Sequence, residues 1–270
     1  MQLVTTAEGI GRLEDGGVAV LDVPWPDLGA LLRDQPLETL ATAPVRERRP
    51  LDAVRLLAPV PRPGKVWAVA LNYRSHAAET GRPLPEEPMV FIKVTSSVVG
   101  PGAAITLPAM APDKVDFEGE VAVVIGRAAT SIDEADAWSH VAGITACHDV
   151  TARDVQRRTG NFGLAKSFDS FTPLGGSLVT IDEYDDPDDI GLTTTVDGEV
   201  RQRGRTNDLV FSVPYLLAFL SRHTTLEPGD VVSTGTPAGV GEVDGRFLRP
   251  GSVVGIEVER VLPLVNRVAP

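Results

Sequence analysis

Three acids stand out for their spacing. Glu118 and Glu120 are alternate residues of Asp116-Phe-Glu-Gly-Glu-Val-Ala-Val-Val-Ile125, and Asp149 closes the mostly apolar run Gly143-Ile-Thr-Ala-Cys-His-Asp149. Alternate side chains of a strand share a face, so Glu118 and Glu120 point the same way, about 7 Å apart. Phe117, Val121, Val123 and Ile125 take the opposite, apolar face. Two carboxylates so placed repel unless a cation or a base lies between them, and burial makes an unpaired couple costly. Alternation alone also fits an exposed strand with two solvated glutamates. A further acid at a strand end shifts the balance towards a shared cation, with helix capping by Asp149 or Thr151 as the rival role. Three carboxylates and no neighbouring Cys/His set select a hard ion, Mg²⁺, Mn²⁺ or Ca²⁺, over zinc. His148 faces away from Asp149 if the strand persists, and reads as a packing histidine.

Other residues could do chemistry beside such an ion. His76 and Glu79 stand three apart in Asn72-Tyr-Arg-Ser-His-Ala-Ala-Glu79, where a helix would let them hydrogen-bond. That is a base oriented by a carboxylate, or equally a surface pair. Lys166, in Leu164-Ala-Lys-Ser-Phe-Asp169, could stabilise a developing enolate or pair with Asp169. Gly235-Thr-Pro-Ala-Gly-Val-Gly241 lacks the lysine of a phosphate loop. It reads as a tight turn, or as a loop bringing backbone N–H groups and the Thr236 hydroxyl to a small ligand.

The elements that must position these residues are mostly strands. Candidates are Lys65–Leu71, Met89–Val94, Phe117–Ile125, Gly143–His148, Leu192–Val196, Glu199–Gln202, Asp230–Thr234 and Ser252–Glu259. Asp197-Gly198 is a two-residue hairpin turn. Helices are expected at Pro26–Arg33, Tyr73–Thr80 ended by Gly81, Ser131–Trp138, and Ser212–Leu220 with its Ser cap and first-turn Pro. The acidic stretch Asp182–Asp189 reads as a solvated loop. Residues 1–58 form a small N-terminal layer with strands at Gln2–Val4 and Val18–Leu21. The alternating prolines of Ala58-Pro-Val-Pro-Arg-Pro-Gly64 mark the boundary of a second unit, residues 59–270. The fold class is α+β, mainly β.

Composition narrows the partners. A chain of 270 residues with 43% hydrophobic and 23% charged residues can bury a sizeable core. The net charge of -12 disfavours nucleic acid, whose phosphates need Lys/Arg-rich faces. An anionic substrate would need a local reversal of that field, which a bound divalent ion supplies. The single cysteine, Cys147, cannot form an internal disulfide. No apolar run approaches a membrane span and the N-terminus lacks a signal-peptide pattern. The expectation is a cytoplasmic protein with no membrane partner.

These segments resemble the fumarylacetoacetate hydrolase family. The resemblance rests on Leu71–Glu79, Pro88-Met-Val-Phe-Ile-Lys93, Asp116–Val121, His148-Asp-Val-Thr-Ala-Arg-Asp154, Ala165–Asp169 and Thr234–Gly241, which occur in the family's order. It implies a mixed β-sandwich or roll, a homodimer, and an Mg²⁺ or related ion on Glu118, Glu120 and Asp149, with Asp116 as an auxiliary acid. It further implies that His76 and Glu79 are a lid dyad that activates water. Lys166 would stabilise an enolate, and Gln156, Thr236 and Lys93 would contact a small 2-oxo acid substrate. The stretch Arg157-Arg-Thr-Gly-Asn-Phe-Gly163 departs from the family in being short and lacking a tryptophan.

Three outcomes share one enolate. Water delivered to a C4 carbonyl gives hydrolysis of an acylpyruvate, loss of CO₂ gives oxaloacetate decarboxylation, and proton movement alone gives isomerisation of a 2-hydroxydienoate. Hydrolysis is favoured because both members of the dyad are present. A catalytically silent, metal-stabilised binding protein would be expected to have lost His76, Glu79 or Lys166, and all three are there.

Overall fold

The computed structural model describes residues 1–269. An N-terminal meander runs through β1 (Gln2–Thr6), β2 (Gly9–Glu14), β3 (Gly17–Leu21) and β4 (Val45–Pro50), with helix α1 (Leu28–Leu32) between the last two. β5 (Val66–Ala70), helix α2 (Arg74–Thr80) and β6 (Met89–Lys93) follow. The long apolar runs become β7 (Gly119–Ile125) and β8 (Val141–His148), both buried almost throughout. Helices α3 (Arg153–Thr159) and α4 (Phe162–Lys166) come next. β9 (Gly191–Val196) and β10 (Glu199–Arg205) form a hairpin, then α5 (Val213–His223) precedes β11 (Val231–Ser233), β12 (Val253–Val258) and β13 (Leu264–Val268).

One sheet has ten strands in the order β4-β3-β2-β1, the short strand Leu178–Val179, then β8-β7-β11-β5-β6. The N-terminal meander therefore shares a sheet with the rest of the chain through β1, whose Leu3 pairs with Leu178. The second sheet has five strands, β10-β9-β12-β13 and Ala104–Ile105. Alternation along β7 sends Val121, Val123 and Ile125 into one core with Leu192, Ile256 and Leu264 of the second sheet. Ala122 and Val124 enter another core with Leu3, Leu21 and Leu31 of the N-terminal layer. Apolar side chains on both faces make β7 a central strand, and the sheet-on-sheet core is the sandwich expected.

Local signals behave as their chemistry requires. Asp197 and Gly198 have φ of 52° and 84°, the two positive values of a type I′ turn between β9 and β10. Ser212 Oγ accepts from the Tyr215 N–H at 3.3 Å and caps α5. The helix expected at Ser131–Trp138 is instead a 3₁₀ turn over Glu134–His140, because Ser131 sits at φ 50° and does not cap it. The acidic stretch after Ile181 is largely exposed, with only Tyr184 buried within Asp182–Asp189. Among the described residues no helix is long and apolar enough to cross a membrane.

Candidate metal centre and active-site cleft

Glu118, Glu120 and Asp149 are each nearly fully buried, and each offers an oxygen within 4.8 Å of the others. β7 starts at Gly119, so Glu118 lies just outside the strand rather than within it. The two glutamates still converge. Asp149 follows β8, its N–H donating to the Glu118 carbonyl at 2.8 Å. Neither Asp149 nor Thr151 caps α3, whose N-cap is Ala152 without a side-chain hydrogen bond.

Three cations are drawn onto these acids. Lys166 Nζ donates to Glu118 Oε2 at 2.7 Å and to Asp149 Oδ2 at 2.6 Å, so it is Asp149 and Glu118, and not Asp169, that it pairs with. Lys93 Nζ bonds Asp149 Oδ1 and donates to the Phe171 carbonyl at 2.9 Å. Lys93 is therefore buried behind Asp149 and does not line the cleft, because the buried aspartate needs a counter-charge. Arg153 bonds Glu118 Oε1 through Nη2, Asp116 Oδ2 through Nε at 2.8 Å and Gln156 Oε1 through Nη1 at 3.0 Å. Asp116 also accepts N–H groups of Phe117, Gly241 and Glu242 at 2.8, 2.7 and 3.0 Å. With its oxygens so occupied, Asp116 clamps Arg153 and stands outside the cluster of three.

The electrostatics separate the two glutamates. Burial alone would raise Glu118, but the charges of Lys166, Arg153 and His76 outweigh it and hold its carboxyl far below the ordinary range. Glu120 has a hydroxyl and an amide for partners, Ser233 Oγ at 2.5 Å and Gly235 N at 2.9 Å. Burial, then the Asp149 and Glu118 charges, push it up to about 8. Lys166 is raised because Asp149 and Glu118 outweigh the effect of burial. A group of carboxylate oxygens fits a hard divalent cation, and Glu120 is the member whose repulsion such an ion would relieve. With every acid ionised, Asp116, Glu118, Glu120 and Asp149 exceed Lys93, Arg153 and Lys166 by one charge, which a divalent cation would reverse. His148 is buried with Nε2 unpartnered, and burial and the Lys93 charge push it down to about 3.

The glycine-rich loop serves the acids. Its N–H groups at Gly235, Gly239 and Gly241 donate to Glu120, Glu79 and Asp116 respectively. The sequence left a tight turn and a ligand loop as alternatives; these N–H groups go to the buried carboxylates because each needs donors. Gly235 has φ 104°, and a Cβ there would lie 2.9 Å from Asn72 Cβ. Gly239 has φ 108°, and its Cβ would lie 2.0 Å from the Arg201 carbonyl oxygen. Thr236 Oγ1 donates to the Gly119 carbonyl at 2.9 Å and accepts from Gln202 Nε2 at 2.7 Å. Its only proton is thus committed, leaving it an acceptor towards the cleft.

Above the acids, α2 carries the second constellation. His76 Nδ1 lies 2.7 Å from Glu79 Oε1, and Gly239 N–H donates to Glu79 Oε2 at 2.9 Å. A carboxylate accepts, so Nδ1 carries the hydrogen and Nε2 is the ring atom left to take or give a proton. His76, Glu118, Glu120, Asp149, Gln156, Lys166 and Thr236 line one cleft. Phe162, from the stretch that departs from the family pattern, also lines it and stacks on Phe91 at 5.4 Å between centroids. Sequence reasoning missed Arg153, Gln202 and Ser233. An arginine opening the helix after a buried strand was the one available signal, and it lay inside a quoted motif.

Known proteins share this arrangement of chain. The profile described as fumarylacetoacetate (FAA) hydrolase C-terminal matches residues 65–269. Oxaloacetate tautomerase FAHD2A, mitochondrial, of Homo sapiens is 46% identical over 223 residues, covering 81% of this chain and 71% of the relative. Oxaloacetate tautomerase YisK of Bacillus subtilis is 41% identical over 223 residues, covering 81% of this chain and 74% of the relative. The solved structure of a fumarylacetoacetate hydrolase from psychrophilic Exiguobacterium antarcticum matches with a TM-score of 0.87 at 35% identity, covering 100% of this chain and 99% of that one.

Proposed function

The chain belongs to the fumarylacetoacetate hydrolase family, and from that premise we propose that it is a divalent-metal-dependent enzyme interconverting the enol and keto forms of a short 2-oxo dicarboxylic acid of the oxaloacetate kind. The observation that carries this reading is a single proton-relay pair, His76–Glu79 at 2.7 Å, lining the same cleft as the acid cluster through His76. Tautomerisation needs one group to carry a proton between the enol oxygen and C3, and an environment that tolerates the enolate. The two relatives named oxaloacetate tautomerases support that choice.

His76 Nε2 takes the enol O–H proton, becoming an imidazolium that Glu79 holds and supports, and then gives that proton to C3. The ring returns to its neutral form, so substrate and product are isomers and no co-reactant is consumed. Lys166 places a positive charge in the cleft against the negative charge developing on the 2-oxygen. Gln156, held by Arg153 at 3.0 Å, and Thr236 are polar groups beside the acids that can orient substrate. Mg²⁺ or Mn²⁺ on Glu118, Glu120 and Asp149 supplies Lewis-acid stabilisation when bound.

Hydrolysis of an acylpyruvate, favoured by the sequence, is the second reading. The dyad that protonates carbon can also take a proton from water, and the Exiguobacterium relative is named a hydrolase. The test is to mix enol-oxaloacetate with protein and Mg²⁺ and follow the enol absorbance and the products. Enol loss should outpace buffer, yield keto-oxaloacetate, and slow by about 10²–10⁴-fold in His76→Ala. Cleavage of an acylpyruvate with oxaloacetate untouched would install the hydrolase reading, and release of CO₂ unaffected by His76→Ala would install decarboxylation.

A further inference from the structure

We propose that Arg82 selects substrates that carry a second carboxylate, an inference that rests on the reading of the cleft as a 2-oxo dicarboxylate site. Three side chains of fixed positive charge line the cleft: Arg82, Arg153 and Lys166. Two of them are buried and committed, Arg153 to Asp116, Glu118 and Gln156, and Lys166 to Glu118 and Asp149. Arg82 is exposed, and among the described residues its guanidinium takes part in no ion pair.

Glu79 on the same helix and Glu242 in the cleft are already engaged. Glu79, three residues earlier, gives one oxygen to His76 and the other to Gly239 N–H. Glu242, which also lines the cleft, pairs with Arg157 at 2.8 Å and lies 3.4 Å from Arg153. The backbone of Arg82 is anchored while its side chain is not. Gly81 ends α2 at φ 64°, and the Arg82 N–H donates to the Ala77 carbonyl at 3.0 Å. The guanidinium therefore rides at the end of the helix that carries His76. Of the neighbouring lining groups, Thr80 donates its hydroxyl hydrogen to the His76 carbonyl at 2.9 Å, and Met89 and Phe162 are apolar. On a chain of net charge -12, a dianionic substrate gains from one uncommitted cation at the entrance. A planar guanidinium matches a carboxylate in two parallel hydrogen bonds.

The experiment compares two inert 2-oxo acids of equal chain length by calorimetry in Mg²⁺, using wild type, Arg82→Ala and Arg82→Glu. 2-Oxoglutarate carries the distal carboxylate and 2-oxopentanoate carries a methyl in its place. Wild type should bind the dicarboxylate about fivefold more tightly, the scale of an accessible ion pair. Arg82→Ala should bring the two within a factor of about two, and Arg82→Glu should reverse their order. Equal affinities in wild type, or a preference that survives both substitutions, overturns the proposal. Enol-oxaloacetate decay is measured on the same preparations. Decay at the buffer rate refutes the tautomerase reading alone, whereas a lost calorimetric preference refutes the role of Arg82 alone.

Discussion

Replacing Arg153 with Met tests whether the acid cluster is held by its cations. Arg153 is 3% exposed and bonds Asp116 at 2.8 Å and also Glu118. Methionine keeps much of the volume and none of the charge, leaving two buried acids short of a partner. Breaking a buried pair in this way costs roughly 3–5 kcal/mol. Asp116 keeps its three backbone donors, and Glu118 keeps Lys166 at 2.7 Å. The loss should therefore fall near the lower end, about 3 kcal/mol. At roughly 2–4 °C per kcal/mol for a chain of this size, Tm should drop by roughly 6–12 °C. Calorimetric melting in excess chelator measures it without interference from bound ions. Adding Asp116→Asn to Arg153→Met should restore part of the loss, since it removes one uncompensated charge. A single variant within about 1 kcal/mol of wild type would refute the reasoning, because Arg153 would then be dispensable to the buried acids.

The metal-free protein should lose stability as pH rises. Glu120 is pushed up from 4.5 to about 8, so the folded chain holds a proton that the unfolded chain has released across that window. The contribution is full below the lower value and gone above the upper one. Melting in chelator should show Tm falling across the window, and a flat profile would contradict the assignment. His76→Ala should slow enol–keto turnover by about 10²–10⁴-fold while leaving divalent-ion affinity nearly intact, as calorimetry would show. A homodimer is expected from light scattering at micromolar concentration, since the long sheet leaves β6 as an edge with Met89 and Ile92 exposed.

Much of the site was legible because carboxylates at strand spacing and strand ends have few uses inside a fold. Glu118, Glu120 and Asp149 could be grouped from alternation and from the apolar run ahead of Asp149, and His76–Glu79 from helical spacing. The hairpin at Asp197-Gly198 and the cap at Ser212 follow from local backbone chemistry alone. What stayed hidden depended on distant pairing. No local pattern announces that β1 joins Leu178–Val179, some 175 residues later in the chain. Lys93 read as a substrate contact, and Arg153 carried no assignment. Only the folded chain shows that buried acids draw them inward. The role of the glycine loop stayed open for the same reason, since its N–H donors answer to carboxylates brought together by tertiary structure.

The claim on which the account turns is that Glu118, Glu120 and Asp149 together hold one divalent ion. Calorimetric titration of chelator-stripped protein with Mg²⁺ and with Mn²⁺ tests it directly, alongside the Asp149→Asn variant. The account predicts one site per chain in wild type, and binding too weak to measure in the variant. Absence of binding in wild type, or equal binding in both proteins, would contradict it.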